Sequence, residues 1–134
     1  MNGVVPSKGI MEGEPTLYTV SELTNLLKGT LENAFPSVRL EGELSNFKIA
    51  GSGHWYFSLK DEEAIIQGVM FRGDNRRVDF APRDGDQVEI LGRVTIYAKQ
   101  GRYQVVCRAM RSAGLGALLA RLEERKRRLA AEGL

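Results

Sequence analysis

At Val38 the hydrophobic period of this chain switches from the helical to the extended repeat, and that switch narrows the folds open to it. Before it, Val20, Leu23, Leu27 and Leu31 recur at helical spacing. Thr19-Val20-Ser21-Glu22 has the form of a capping box, in which the Thr19 hydroxyl and the Glu22 carboxylate each satisfy an orphan amide. The spacing predicts an amphipathic helix over 20–33, closed by Pro36, with its apolar stripe as a packing face.

After the switch, Val38, Leu40, Gly42 and Leu44 alternate with Arg39, Glu41, Glu43 and Ser45, as a half-buried strand requires. Ala50-Gly51-Ser52-Gly53 is turn chemistry. Alternation resumes from His54 to Lys60, with Trp55, Phe57 and Leu59 on one face and His54, Tyr56, Ser58 and Lys60 on the other. Asp61-Glu62-Glu63 turns the chain into a third strand, Ala64 to Phe71, whose nearly continuous apolar run leaves its inward face open. Residues 73–81 hold room for a helical turn around Arg76 to Phe80, and Pro82 to Asp86 form another turn. Val88, Ile90, Val94 and Ile96 mark a long fourth strand with a bend or bulge at Gly92. Ala98 to Gly101 turn the chain into a fifth strand, Arg102 to Met110, with Tyr103, Val105 and Cys107 inward.

Five strands with a helical piece between the third and fourth follow the order of the OB-fold, a mainly β, five-stranded Greek-key barrel. Closure also spares so short a chain bare sheet edges. The chain is therefore expected to comprise a flexible leader (1–16), an N-terminal helical segment packed on the barrel (17–36), the barrel (37–111) and a C-terminal helix (112–134). Leu115, Leu118, Leu119, Leu122 and Leu129 mark that last helix, and Arg125-Lys126-Arg127-Arg128 lie within it as a solvated face or as a covering for something beyond this chain.

Net charge is +2, but its distribution is polar. Residues 1–70 carry five Lys/Arg against nine Asp/Glu, and residues 71–134 carry fourteen against eight. The later half therefore favours an anionic partner. No apolar run approaches the ~20 residues of a membrane span, and residues 1–14 lack the apolar core of a secretory signal. A single cysteine, Cys107, excludes an internal disulfide and suits a reducing cytoplasm.

Catalytic chemistry finds little to work with. The acids of Asp61-Glu62-Glu63 and Asp84-Gly85-Asp86 fall in turns at strand ends, where solvation explains them. Cys107 has only His54 as a candidate base and lies among apolar neighbours, so it reads as a small buried hydrophobe. One Cys and one His do not make a zinc site. Gly51-Ser52-Gly53 precedes no helix bearing Lys-Ser/Thr, so no cofactor or phosphate loop is indicated.

Binding is better supported. OB-folds hold single strands with aromatic platforms for bases and cations for the backbone, centred on strands two and three. Candidates for such an interface are Phe47 and Lys48 at the mouth of the first loop, and His54 and Tyr56 on strand two. Phe71, Arg72, Arg76 and Arg77 follow strand three. Arg93 and Tyr97 share the outward face of strand four, Lys99 and Arg102 flank the last hairpin, and Arg108 faces outward on strand five. Each also has a plainer reading: Phe71 as core, Tyr56 and Tyr97 as cross-strand fillers.

Five stretches then stand in a telling order: Tyr18-Thr-Val-Ser-Glu-Leu23, Gly42-Glu-Leu-Ser-Asn-Phe-Lys48, Ser52-Gly-His-Trp-Tyr-Phe-Ser-Leu-Lys-Asp61, Val69-Met-Phe-Arg72 and Gly114-Leu-Gly-Ala-Leu118. Together they resemble the N-terminal region of the large subunit of bacterial exodeoxyribonuclease VII. The resemblance runs from residue 17 to 134 and implies an OB-fold that holds single-stranded DNA. It further implies a nuclease domain beyond Leu134, reached through a linker, and small subunits recruited by a region this chain does not contain. The parent enzyme hydrolyses phosphodiester bonds of single-stranded DNA from either end. The alternative class is an assembly module, in which the two amphipathic helices drive docking or self-association.

Overall fold

The computed structural model describes residues 13–113 and 123–128. Helix α1 (Val20–Ala34) begins as its sequence dictates: Thr19 Oγ1 accepts from the Glu22 amide at 3.1 Å, and the Thr19 amide donates to Glu22 Oε1 at 2.7 Å. Its last turn closes with the Phe35 amide on Leu31 O, immediately before Pro36. That turn fastens the helix to the barrel. Glu32 Oε2 accepts from Thr95 Oγ1 at 2.6 Å and faces Arg93 at 3.9 Å, while the Val94 amide donates to Phe35 O. The rest of the apolar stripe is not a packing face within this chain's described residues. Val20 is 85% exposed, and Leu23 and Leu27 about half exposed. Periodicity revealed the stripe correctly; it carried no information about what lies opposite.

The strands are β1 (Val38–Ile49), β2 (Trp55–Lys60), β3 (Ile65–Met70), β4 (Gln87–Tyr97) and β5 (Arg102–Ser112), with the short helix α2 (Arg72–Asn75) between β3 and β4. They close a barrel in the order β1-β2-β3-β5-β4. All neighbours are antiparallel except β3 and β5, which run parallel from Gln67↔Gln104 to Met70↔Cys107. This is the five-stranded barrel expected from the sequence. β1 serves two partners: residues 38–43 pair with β4 and 43–49 with β2. It bends between them at a register shift from Ser45 to Lys48, where Asn46 takes a φ of 51°.

Leu44, Phe57, Leu59, Met70, Val88, Ile90, Val105, Cys107 and Met110 form the core. Full burial of each large side chain contributes about 1.5–3 kcal/mol. Register settles the ambiguous third strand: Ile66, Gly68 and Met70 face Leu59, Phe57 and Trp55. Gly68 is dictated by packing, since a Cβ there would stand 2.4 Å from the Phe57 ring. Gly92 marks the anticipated bulge, between Leu91 and Gly92, where a Cβ would meet Val106 O at 2.5 Å.

Two further expectations fail. The helical turn begins at Arg72 rather than Arg76, because Asn75 is buried and its Nδ2 holds Met70 O and Gly53 O. Tyr103 is half exposed rather than inward. It shares the face of Val105, but pairs with Ile96 where β4 and β5 run past the barrel. Residues 123–128 are helical and exposed, so the basic run does present a solvated face. The leucines at 115, 118, 119, 122 and 129 lie outside the described residues.

Candidate nucleic-acid interface

Strand register composes the outer surface of β1, β2, β3 and β5 row by row. One row runs Lys48, Tyr56, Val69, Val106, and the next runs Ser45, Ser58, Gln67, Gln104; Val69 and Ser58 are buried, and the exposed positions are Lys48 and Tyr56. Alternation forces this, since residues two apart share a face. Within the second row Gln67 Nε2 donates to the buried Ser58 Oγ at 3.1 Å. The turn at 50–54 borders the first row. The turn at 98–101 lies at the opposite end of the face, roughly 13 Å along β5 from Val106 at ~3.3 Å per residue.

At the first end several candidates converge. Tyr56, 46% exposed, stands directly opposite Lys48. His54 Nδ1 accepts from the Arg72 amide at 3.0 Å, which places the ring proton on Nε2, and the ring meets Phe71 edge-on at 5.1 Å. Phe71 remains 42% exposed. The Arg72 stem lies over Gly53, close enough that a Cβ there would stand 2.9 Å from Cδ. Asn75 completes the brace by tying Gly53 O to Met70 O. Phe47 is different: it is half-buried, edge-on to Trp55 at 5.2 Å and stacked on Phe57 at 6.3 Å. It plugs the barrel mouth more than it offers a free platform.

At the second end Tyr97 and Arg102 pair across the hairpin, with Lys99 in the turn, and all three are exposed. Tyr103 joins them on the hairpin's other face, a residue that alternation alone assigned to the core. Four candidate cations remain. Arg76 and Arg77 follow α2 and are exposed. Arg93 faces Glu32 on α1, and Arg108 donates to Ser37 Oγ at 2.8 Å, so both belong to the α1 side of the barrel. Asn75 was missed because its role depends on a loop 22 residues earlier in the chain.

The acids of the turns have structural employment. Asp61 Oδ1 accepts from the Glu63 and Ala64 amides, which hold its carboxyl below the usual range. Asp84 Oδ1 accepts from the Phe47 amide and Asp86 Oδ2 from the Arg83 amide. Cys107 is fully buried, and desolvation pushes its thiol up to about 12, away from nucleophilic use. Among the described residues no three His, Cys, Asp or Glu side chains gather as a metal site would need, and no helix is long and apolar enough to cross a membrane.

The family comparison agrees with the barrel described above. The family model for an OB-fold nucleic acid binding domain matches residues 18–111. An exodeoxyribonuclease 7 large subunit of Alcanivorax borkumensis is 47% identical over 116 residues, covering 87% of this chain and 26% of its own length. That of Erythrobacter litoralis is 51% identical over 116 residues, covering 87% and 24%. The chain thus spans about a quarter of the length of the curated relatives it matches. Among solved structures, a replication protein A heterotrimer bound to ssDNA aligns at a TM-score of 0.49 and 18% identity, over 65% of this chain and 66% of that one.

Proposed function

The chain belongs to the OB-fold nucleic acid binding domain family, and from that premise we propose that it grips single-stranded DNA on the outer face of β2, β3 and β5. The observation that carries this reading is the braced aromatic and cationic cluster at the 50–54 turn: Tyr56 opposite Lys48, with His54, Phe71 and Arg72 interlocked beside them. Bases stack on Tyr56 and Phe71, each contact contributing ~1–3 kcal/mol, and Lys48 and Arg72 hold phosphates. The Tyr97–Arg102 hairpin, with Lys99, grips the strand at the far end. Little base preference is expected, since every base has a π-face.

By its similarity to exodeoxyribonuclease 7 large subunits, the domain presents DNA to a nuclease centre in a part of the parent protein that this chain does not include. Small subunits, on this reading, associate through that other part too. Fluorescence anisotropy with oligo-dT at two salt concentrations tests the grip. Binding should weaken steeply with salt, and Lys48→Ala with Tyr56→Ala should cost at least roughly tenfold in affinity. Wild-type protein that binds no oligo-dT even at low salt would sink the reading. Arg76→Ala with Arg77→Ala should flatten the salt slope; an unchanged slope would remove those two from the interface.

A second reading has one observation of its own, the exposed stripe of Val20, Leu23 and Leu27. On it, the barrel docks through α1 onto another domain or a second copy. Concentration-dependent dimerisation in sedimentation, abolished by Leu23→Ser with Leu27→Ser, would favour it.

A further inference from the structure

On the side of the barrel away from the Tyr56 cluster, the bulge between Leu91 and Gly92 interrupts the β4–β5 ladder. Beside it lies a hollow of about 250 Å³ lined by Arg39, Glu89, Leu91, Ala109, Met110 and Arg111. The three charged groups come from three strands and are locked together. Glu89 accepts from Arg39 Nε and Nη2 at 3.0–3.2 Å and from Arg111 Nη2 at 2.6 Å. The carboxylate is largely covered, at 18% exposure, while the guanidinium-bearing side chains remain 67% and 69% exposed.

An ion pair kept only for stability gains little from two exposed partners. A carboxylate that fixes the planes of two arginines, however, does what a binding site needs, because it removes their rotamer freedom before a ligand arrives. The triad keeps a charge of +1, and Leu91 and Ala109 give it an apolar floor. The hollow is smaller than the ~300–1,000 Å³ of small-molecule sites. It suits one flat group with an anion beside it, rather than a whole cofactor.

We propose that this hollow is a second nucleic-acid contact, taking one base against the Arg39 and Arg111 guanidinium planes and its phosphate on their outer donors. The inference rests on the DNA-binding reading above and extends it along β5. That strand carries Gln104 and Val106 beside β3, then Arg108, then Arg111 at the hollow. From Arg102 to Arg111 is roughly 30 Å at ~3.3 Å per residue. Only a strand long enough to leave the main face reaches so far.

Oligonucleotide length therefore separates the two sites. An oligo-dT of about 6 nucleotides fits the main face, and one of about 20 exceeds the upper end of a single barrel's usual ~4–16. Arg39→Gln with Arg111→Gln should lower affinity for the long oligonucleotide roughly tenfold and leave the short one within about twofold. Since that pair also strips Glu89 of its partners, Ala109→Glu provides a second probe. It keeps both arginines and adds a carboxylate at the exposed floor, and should produce the same length-selective loss. If either variant, with wild-type melting behaviour, binds the long oligonucleotide as tightly as wild type, the second contact is overturned while the main face stands. Loss of short and long binding in parallel would also overturn it. Failure of wild type to bind either length would overturn the underlying DNA-binding reading instead.

Discussion

The two ends of the proposed DNA face are built in opposite ways. At the 50–54 turn, three long-range ties and one local one hold the surface: Asn75 to Gly53, the Arg72 amide to His54 and the Phe47 amide to Asp84, with Asn75 also holding Met70 O five residues back. At the 98–101 turn, the hairpin is held by its own ladder, from Thr95↔Gln104 to Tyr97↔Arg102, and by a turn closed on Tyr97 O and Ala98 O. Its aromatics, Tyr97 and Tyr103, are 43% and 50% exposed. A braced end binds with its entropy cost already met by folding, whereas a projecting end orders as it binds. On the proposed reading, one end sets where the strand sits and the other closes on it. Substitutions at the braced end should disturb folding and binding together; those at the hairpin should separate them.

The largest effect is expected beneath the braced end. Gly68→Val places branched carbon where the Phe57 ring already leaves no room for a Cβ. Overpacking of this kind costs about 1–3 kcal/mol, and the cost here should reach the upper end because β3 pairs on both sides. Chemical denaturation should show it as a shift in midpoint, and an unshifted midpoint would mean that the ring moves freely. Asn75→Ala comes next. It orphans two backbone carbonyls, Gly53 O and Met70 O, at about 1–3 kcal/mol in total if water does not reach them. The turn loosens with it, so affinity for oligo-dT should fall as stability falls. Lost stability with full affinity would show that the brace does not organise the interface.

Much of this was legible in the sequence, and the failures share one cause. The Thr19–Glu22 cap, the Trp55–Phe57–Leu59 face and the Gly92 bulge are local chemistry, read within a few residues. What escaped depends on partners far along the chain. Arg93 and Arg108 look like free outward cations until Glu32 and Ser37, 61 and 71 residues earlier, arrive beside them. The helical turn moved from Arg76 to Arg72 because a buried Asn75 reaches back to Gly53. The face of β3 was hidden by its unbroken apolar run and fixed only by the register that sets Gly68 under Phe57. Tyr103 was misplaced for a related reason: alternation tells which face a residue takes, not where the barrel ends along the strand.

The smallest effect on stability, and the sharpest test of the contrast, lies in the hairpin. Tyr97→Ala with Tyr103→Ala removes two half-exposed rings that stack on no other ring among the described residues and lie outside the buried core. Exposed substitutions of this kind usually stay within about 0.5 kcal/mol each. If the hairpin closes on DNA, oligo-dT affinity should nevertheless fall by about 1–3 kcal/mol per ring that stacks, a loss of roughly fivefold or more. Most of it should appear in the dissociation rate, because a closing element governs escape more than encounter. Measured by stopped-flow release against unlabelled competitor, faster dissociation with an unchanged melting temperature would place the hairpin as the clasp. Equal dissociation rates would leave the braced end holding the strand alone. A lowered melting temperature would mean that the hairpin is as tightly coupled to the barrel as the turn at 50–54, and the distinction between the two ends would collapse.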